Sequence, residues 1–518
     1  MAGTKKPQRA PECPRCGKVM GKNGFERDGK QKWRCFKGSN SGDGARGEIC
    51  YSGVNVAADD PKKAPADFKL QLSGNLFVIT GAQNGTPVVG EFLETLKVVA
   101  GARKAQLVVV PMRYRNPTST WTASQAGDEV WAEEVIPYLC NQRRVLSKHL
   151  VLLGDAKVQP TATDPTAGFD GVTGEKSAIL AHTKVALRSV PQLASHGGPK
   201  IMVTTGSVTR ANYTDSRAGA LGEFHHSLAA VIVEITGSGG FHIRHLHWDP
   251  KRKSVVDLDV EYFASGKVTK APRALALICG DLHVGSVDPG VEKATFGKGG
   301  MMERLRPLNL VLHDTFDGIS VNPHMVNPFE KLRRQNSKLS NVREEVQRCI
   351  SYVREVTPED CTAVAVASNH DSFLSRWVAT NDWRTDPENA EYYLELAHKM
   401  VKRGTGNAVA IAFEGSGIHI LSPDESFRLA GIELGMHGHL GPNGAKGSLK
   451  NLSKIAQKSV TGHSHTAGII GGAIAVGTST TLRLGYNVGP SSWGQAHCLL
   501  LANGKRQLVF IVDGKWRI

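Results

Sequence analysis

In the second half of the chain, one run of β-forming apolar residues after another ends in side chains that can hold a cation. Leu275-Ala-Leu-Ile-Cys279 runs into Gly280-Asp281-Leu282-His283, Leu308 to Leu312 stops just short of Asp314, and Val364-Ala-Val-Ala-Ser368 leads into Asn369-His370-Asp371. His437 follows Gly431 to Met436, and the series closes on Gly462-His463-Ser464-His465. Such strand ends converge if the strands lie side by side with their polar ends along one edge, where open α/β sheets place their sites. The donors are carboxylate oxygens, an amide oxygen and imidazole nitrogens. A mixed nitrogen and oxygen set without thiolates suits Mn²⁺ or Fe²⁺ better than a structural zinc. Asp281 and His283 are two residues apart, so an extended backbone would send both side chains from one face, and His463 with His465 repeats that spacing. Taken singly, a D-x-H or H-x-H is more often a hydrogen-bonded pair than a metal site. The weight lies in their order.

In that order the motifs resemble the calcineurin-like metallophosphoesterase superfamily, over about residues 274 to 515. The resemblance implies that Asp281, His283 and His465 hold one divalent cation, that Asn369, His437 and His463 hold a second, and that Asp314 bridges the two. It implies phosphoester hydrolysis by a bridging hydroxide, with His370 assisting the leaving group and Asp371 orienting the His370 ring. Manganese is the expected ion, with iron, magnesium or zinc as alternatives. Two departures from the family pattern leave the ligands in place: His313 precedes Asp314 where glycine is usual, and Ser368 replaces the glycine before Asn369. His313 and His439 are further candidates near the site, whereas His419 and His497 each sit alone in an apolar segment and read as structural. The Asp-Arg-Gly of phosphoprotein phosphatases is missing. Its place is taken by Asp314-Thr-Phe-Asp-Gly318, and with Asp281-Leu-His-Val-Gly285 this resembles the DNA-repair exonuclease branch.

The chain has 518 residues, enough for about three domains, and a net charge of +15. Twelve Lys and Arg against five Asp and Glu fall in the first fifty residues, a balance that suits a polyanion partner or a solubilising tail equally. Cys13-Pro-Arg-Cys16, Trp33-Arg-Cys35 and Cys50 resemble the zinc ribbon that precedes some transposases, which implies one structural Zn²⁺ on Cys13, Cys16, Cys35 and Cys50. The other five cysteines are scattered, mostly among apolar neighbours, and no secretion signal opens the chain, so a disulfide framework is not expected. Ala57 to Ala66 reads as a linker.

The expected organisation is α/β (α+β). Residues 1–55 form a zinc ribbon, 56–67 a linker, 68–270 an α/β accessory domain of unknown role, and 271–518 a calcineurin-like β-sandwich flanked by helices. Within 68–270, strands are expected at Leu76–Thr80, Leu107–Val110, His149–Leu153, Ile201–Thr205, Ala229–Ile235, Phe241–Trp248 and Val255–Tyr262, with a turn at Gly237-Ser-Gly-Gly240. A helix with Leu332, Leu339, Val342, Val346, Ile350 and Val353 on its apolar face is expected between Asp314 and Asn369, with Lys331, Arg333 and Arg334 decorating its start. The functional expectation is a metal-dependent DNase, an arrangement that also resembles phage-encoded DNases of the early infection stage. The alternatives are a phosphodiesterase or phosphatase on nucleotides or other small phosphoesters, and a non-catalytic DNA-binding scaffold. DNA is the expected partner, with homo-oligomerisation, no membrane contact and a cytoplasmic location, that of the host if the chain is phage-encoded.

Overall fold

The computed structural model describes residues 19–25, 31–36, 49–54, 68, 70–112, 130–193, 198–325, 327–485 and 487–517. The chain divides into two compact units, Met1–Asp67 and Phe68–Ile518. No helix among the described residues is long and apolar enough to cross a membrane.

The first unit holds a three-stranded antiparallel sheet, Gly21–Phe25, Gln31–Phe36 and Ile49–Val54. Cys35 pairs with Tyr51 and Phe36 with Ile49, so Cys50 is the extra residue of a bulge, next in the chain to the partner of Cys35. Trp33 and Cys35 are buried. Cys13 and Cys16 lie outside the described residues.

The second unit is mixed α/β, built on three sheets. A six-stranded sheet carries the parallel strands Ala276–Ile278, Asn309–Leu312, Thr362–Ala365 and His419–Ile420, closed by antiparallel Ala496–Leu500 and Arg506–Phe510. Its residues alternate faces, as the period of two requires. Leu277, Leu310, Leu312 and Ala363 pack against Val346, Ile350 and Val353 of helix Val342–Val356. Ile278, Val311, Val364, Leu508 and Phe510 turn the other way, onto Phe77, Val231 and Val233 of a seven-stranded sheet and Leu152, Ile179, Ile469 and Ile474 of a ten-stranded one.

The ten-stranded sheet joins the two halves of the unit. Lys458–Thr461, Gly468–Ile470 and Ala473–Ala475 from the second half continue through the antiparallel pair Gly468 and Arg188 into Leu187–Val190, Lys200–Thr204, Ser177–Leu180, Leu150–Leu153 and Arg143–Ser147 from the first. The stretches on either side of residue 270 therefore share a sheet as well as a core.

Most expected strands of 68–270 are present, and Gly239 turns the hairpin after Ala229–Ile235 with φ +86°. Val255–Tyr262 is two strands, Ser254–Asp257 and Val260–Phe263, parted at Leu258 with φ 57°. The expected long helix between Asp314 and Asn369 is also two elements. Pro328–Asn336 ends before Lys338 at φ 55°, and Val342–Val356 starts afresh with Asn341 Oδ1 accepting from the Glu344 N–H at 3.0 Å. Leu332 consequently leaves the apolar face and stands in water.

Candidate metal centre

The motif residues meet where the C-terminal edges of the six-stranded and ten-stranded sheets adjoin. Two motif loops run side by side: Leu282 N–H donates to His313 O at 2.9 Å and His283 N–H to Asp314 O at 2.8 Å. A third is tied across, since Gly462 N–H donates to His437 O at 2.8 Å and His463 N–H to Asp281 Oδ1 at 3.0 Å.

The expected sharing of a face by Asp281 and His283 in an extended strand is not how they converge. His283, Asp314, His463 and His465 all adopt left-handed backbone, with φ of 46°, 45°, 70° and 54°. Non-glycine residues rarely take that conformation, and each instance costs about 1–3 kcal/mol. Four such residues in one cluster mean that the surrounding packing imposes the donor geometry. The glycines of the motifs have steric causes. A Cβ on Gly462 would lie 2.1 Å from Asp281 Oδ1 and 2.8 Å from His313 Cγ, and one on Gly280 would lie 2.8 Å from the Thr478 carbonyl carbon.

Asp281, His283, Asp314 and His465 are buried and each offers a ligand atom within 4.8 Å of the others, so the chain contains a candidate metal site of Asp and His residues. His465 Nε2 lies 3.1 Å from Asp281 Oδ2 and 3.1 Å from His283 Nε2. The second expected set adjoins it. Asn369 Oδ1 is 3.1 Å from both His437 Nε2 and His463 Nδ1, and His437 Nε2 is 3.2 Å from Asp314 Oδ2. Asp314 thus touches both sets, through His283 at 3.5 Å on one side and His437 on the other.

The electrostatics favour a cation. Asp314 Oδ1 is buried without a hydrogen-bond partner among the described residues. Burial opposes ionisation of Asp314, yet His437, with His283 and His370 beyond it, holds its carboxyl well below the usual range. Burial likewise opposes charge on His283, but its hydrogen bond to Asp317 and the nearby Asp314 and Asp281 outweigh this and raise the imidazole to about 9. The carboxylates raise His283 and His437 against the cost of their burial, and a divalent cation answers the same demand for positive charge.

His370 and Asp371 take different positions from those expected of a paired acid and orienter. His370 Nδ1–H donates to the main-chain oxygen of Asp317 at 2.7 Å. Asp371 instead accepts from Ser368 N–H at 2.9 Å, and burial raises its carboxyl to about 7. Asp317 is the residue that sequence reasoning left out of the site. Its Oδ1 accepts from His283 Nδ1–H at 2.8 Å while its carbonyl holds His370, so one residue sets two rings. The signal was the second carboxylate in Asp314-Thr-Phe-Asp317.

His313 is buried beside His437, Nδ1 to Nδ1 3.5 Å, and burial lowers it to about 4. His439 lies with its ring centroid 5.4 Å from that of His437, the planes tilted by 43°. His497 braces the first loop: Nδ1 accepts from Gly280 N–H at 2.9 Å and Nε2–H donates to Thr295 Oγ1 at 2.8 Å. Trp493 lies with its ring centroid 4.1 Å from that of His465. His419 is half exposed, 3.8 Å from Glu425.

Fold and site together define an α/β protein with a buried aspartate and histidine centre at the meeting edge of two sheets. Its relationship to known proteins is specific. The chain is 31% identical over 466 residues to Protein A1 of Escherichia phage T5, a match that covers 86% of this chain and 83% of that protein, and it belongs to the Protein A1 family. No family model and no solved structure matches it.

Proposed function

We propose that the protein is a metal-dependent phosphodiesterase of the calcineurin-like superfamily that cleaves DNA in the cytoplasm of an infected cell. The observation that carries the proposal is the pair of adjoining donor sets, Asp281, His283 and His465 on one side and Asn369, His437 and His463 on the other, with Asp314 in reach of both. Two divalent cations held there, manganese foremost, would supply Lewis-acid polarisation of a phosphoryl oxygen and an acidified water. The protein's part is positional. Asp317 fixes His283 in the tautomer that leaves Nε2 facing the carboxylates, and its carbonyl keeps the His370 Nδ1 proton engaged, so that Nε2 is the nitrogen left to exchange a proton with a leaving oxygen.

DNA as substrate is supported by the net charge of +15 and by a relative from a bacteriophage. The small first unit, in which Cys50 is the bulge residue beside Tyr51, the strand partner of Cys35, is compatible with a structural zinc site completed by Cys13 and Cys16. Purified protein with Mn²⁺ is expected to degrade linear and circular DNA, and His370→Ala and Asp314→Ala are expected to abolish turnover without loss of fold. DNase activity surviving in both variants would remove the assignment. Hydrolysis of bis(p-nitrophenyl) phosphate with no DNA cleavage would move the substrate to small phosphoesters, and stoichiometric metal without hydrolysis of either would leave a DNA-binding scaffold.

A further inference from the structure

Helix Pro328–Asn336 is set beside the metal centre yet is barely packed onto the protein. Phe329 is 79% exposed and Leu332 54%. Lys331, Arg333 and Lys338 are also exposed, and none of the three forms an ion pair among the described residues. A nine-residue helix is too short to be stable on its own propensity, and this one does not rest an apolar face on the core. Two local devices hold it. Asn327 Oδ1 caps it by accepting from Phe329 N–H at 2.9 Å, and Arg334 donates to the carbonyls of Ile319 at 3.1 Å and Ser320 at 3.0 Å.

The second anchor links the helix to the site. Ile319 and Ser320 follow Asp317 by two and three residues, and Asp317 sets the rings of His283 and His370. Glu345 grips the same turn from the other side, accepting from the Ile319 and Ser320 N–H groups at 2.9 Å each. Gly318 between them has φ +69°, and a Cβ there would lie 3.0 Å from Phe373 Cδ2, so the turn admits little adjustment. Phe373 in turn packs its ring 4.9 Å from that of His370 and 5.7 Å from that of His324, three residues before the helix cap. A rigid turn therefore joins the exposed helix to the residues proposed to act on the phosphoester.

We propose that helix Pro328–Asn336 grips the polynucleotide strand next to the metal centre, with Lys331 and Arg333 on backbone phosphates and Phe329 stacked on a base. Unpaired cations interleaved with an exposed aromatic ring match a single strand, which offers a phosphate and a π-face at every nucleotide. A second copy of this chain, at +15, is a poor match for a basic helix. The inference rests on the DNA-cleaving reading of the site and adds the element that would hold its substrate.

The test measures anisotropy of a labelled single-stranded DNA oligonucleotide on the full-length protein in EDTA, across a salt series, so that binding is read without catalysis. Lys331→Glu/Arg333→Glu is expected to weaken binding at least tenfold at low salt and to make the slope of log K against log salt shallower by about 1.4, the loss of two phosphate contacts on a single strand. Phe329→Ala is expected to weaken binding about tenfold with the salt slope unchanged. Lys251→Glu/Lys402→Glu, which removes the same charge from exposed positions elsewhere, is expected to cost less than threefold. Equal losses in the two charge-reversed proteins, or unchanged binding in the helix variants with far-UV circular dichroism intact, would overturn the proposal. So would helix variants that lose only binding to anionic phosphatidylserine vesicles or only self-association in sedimentation, which would make the helix a membrane or subunit contact. If the helix variants lose oligonucleotide binding while the unaltered protein cleaves no phosphodiester, the helix assignment stands and the catalytic reading falls.

Discussion

Gly462→Ala is the smallest change that should disable the centre without removing a ligand. The φ of Gly462 is not positive, so alanine is conformationally acceptable and only contact decides the outcome. The added Cβ would fall 2.1 Å from Asp281 Oδ1, against roughly 3.3 Å for a close carbon–oxygen contact. The carboxylate must therefore retreat by about 1 Å, or the main chain of Gly462 must move the other way. That second route is obstructed: His313 Cγ and Cβ lie 2.8 and 2.9 Å from the same Cβ, and Gly462 N–H is bonded to His437 O. Retreat of Asp281 breaks its hydrogen bond from His463 N–H and its approach to His465 Nε2. Displacement of a reacting or ligating group by about 1 Å costs on the order of a hundredfold in rate, or about 2.7 kcal/mol in the barrier. Overpacking itself should cost about 1–3 kcal/mol of stability. The assay is Mn²⁺-dependent hydrolysis of bis(p-nitrophenyl) phosphate, with bound metal counted by elemental analysis and folding checked by thermal unfolding. Gly101→Ala is the control, since nothing lies within 4 Å of its added Cβ on helix Gly90–Arg103. A folded Gly462→Ala protein with undiminished turnover and full metal would refute the argument that Asp281 is held at the centre by that contact.

Asp317→Ala removes the acceptor that sets the His283 tautomer and should lower metal affinity about 10–100-fold, the usual effect of losing a partner behind a ligand; Mn²⁺ titration calorimetry with unchanged affinity would refute it. On one face of the seven-stranded sheet, Arg244 bonds Asp257 through two nitrogens at 2.5 and 2.7 Å and Glu234 at 3.1 and 3.3 Å, with Arg103 reaching both acids from the helix Gly90–Arg103. Arg244→Met leaves two buried carboxylates with one partly exposed guanidinium, and urea unfolding should show a loss of about 3–5 kcal/mol. Acid should weaken the fold through His182 and His245, which burial lowers to about 4. Their folded pKa lies below the unfolded value near 6.5, so the unfolded chain binds more protons between about pH 6.5 and 4 and stability falls as pH drops through that window. His182 is committed on both nitrogens, Nε2–H to Gln159 O at 2.9 Å and Nδ1 to Lys184 N–H at 2.9 Å, so a second proton has no acceptor. A urea midpoint that stays constant from pH 6.5 to 5, above most carboxylate titrations, would contradict this.

The sequence made Asp281, His283, Asp314 and His465 legible as candidate donors, because chemistry leaves few residue types to choose from and their order along the chain mirrors the order of the loops. It did not show how they are aimed. Alternation along an extended strand suggested a common face for Asp281 and His283, but the chain has already left the strand at Ile278, and the turn that follows places His283 at φ 46°. Left-handed backbone at histidine and aspartate has no sequence signature, since any such residue can be forced into it by packing. Asp317 was hidden for a related reason. Its role depends on a hydrogen bond to His283, 34 residues away, and a carbonyl bond to His370, 53 residues away, neither of which a local pattern encodes. The helix at Leu332 failed differently. The apolar spacing from Leu332 to Val353 is genuine, but it spans a break at Lys338 and Asn341 that only cap geometry reveals. Periodicity reports which residues could share a face, and at Leu332 the backbone declined the option. What remained outside was an exposed phenylalanine and leucine among cations that form no ion pair among the described residues, one turn from Asp317 and His370. A break in an otherwise regular amphipathic pattern, with basic residues clustered on its N-terminal side, is thus a readable sign that the first helix does not share the core face of the second.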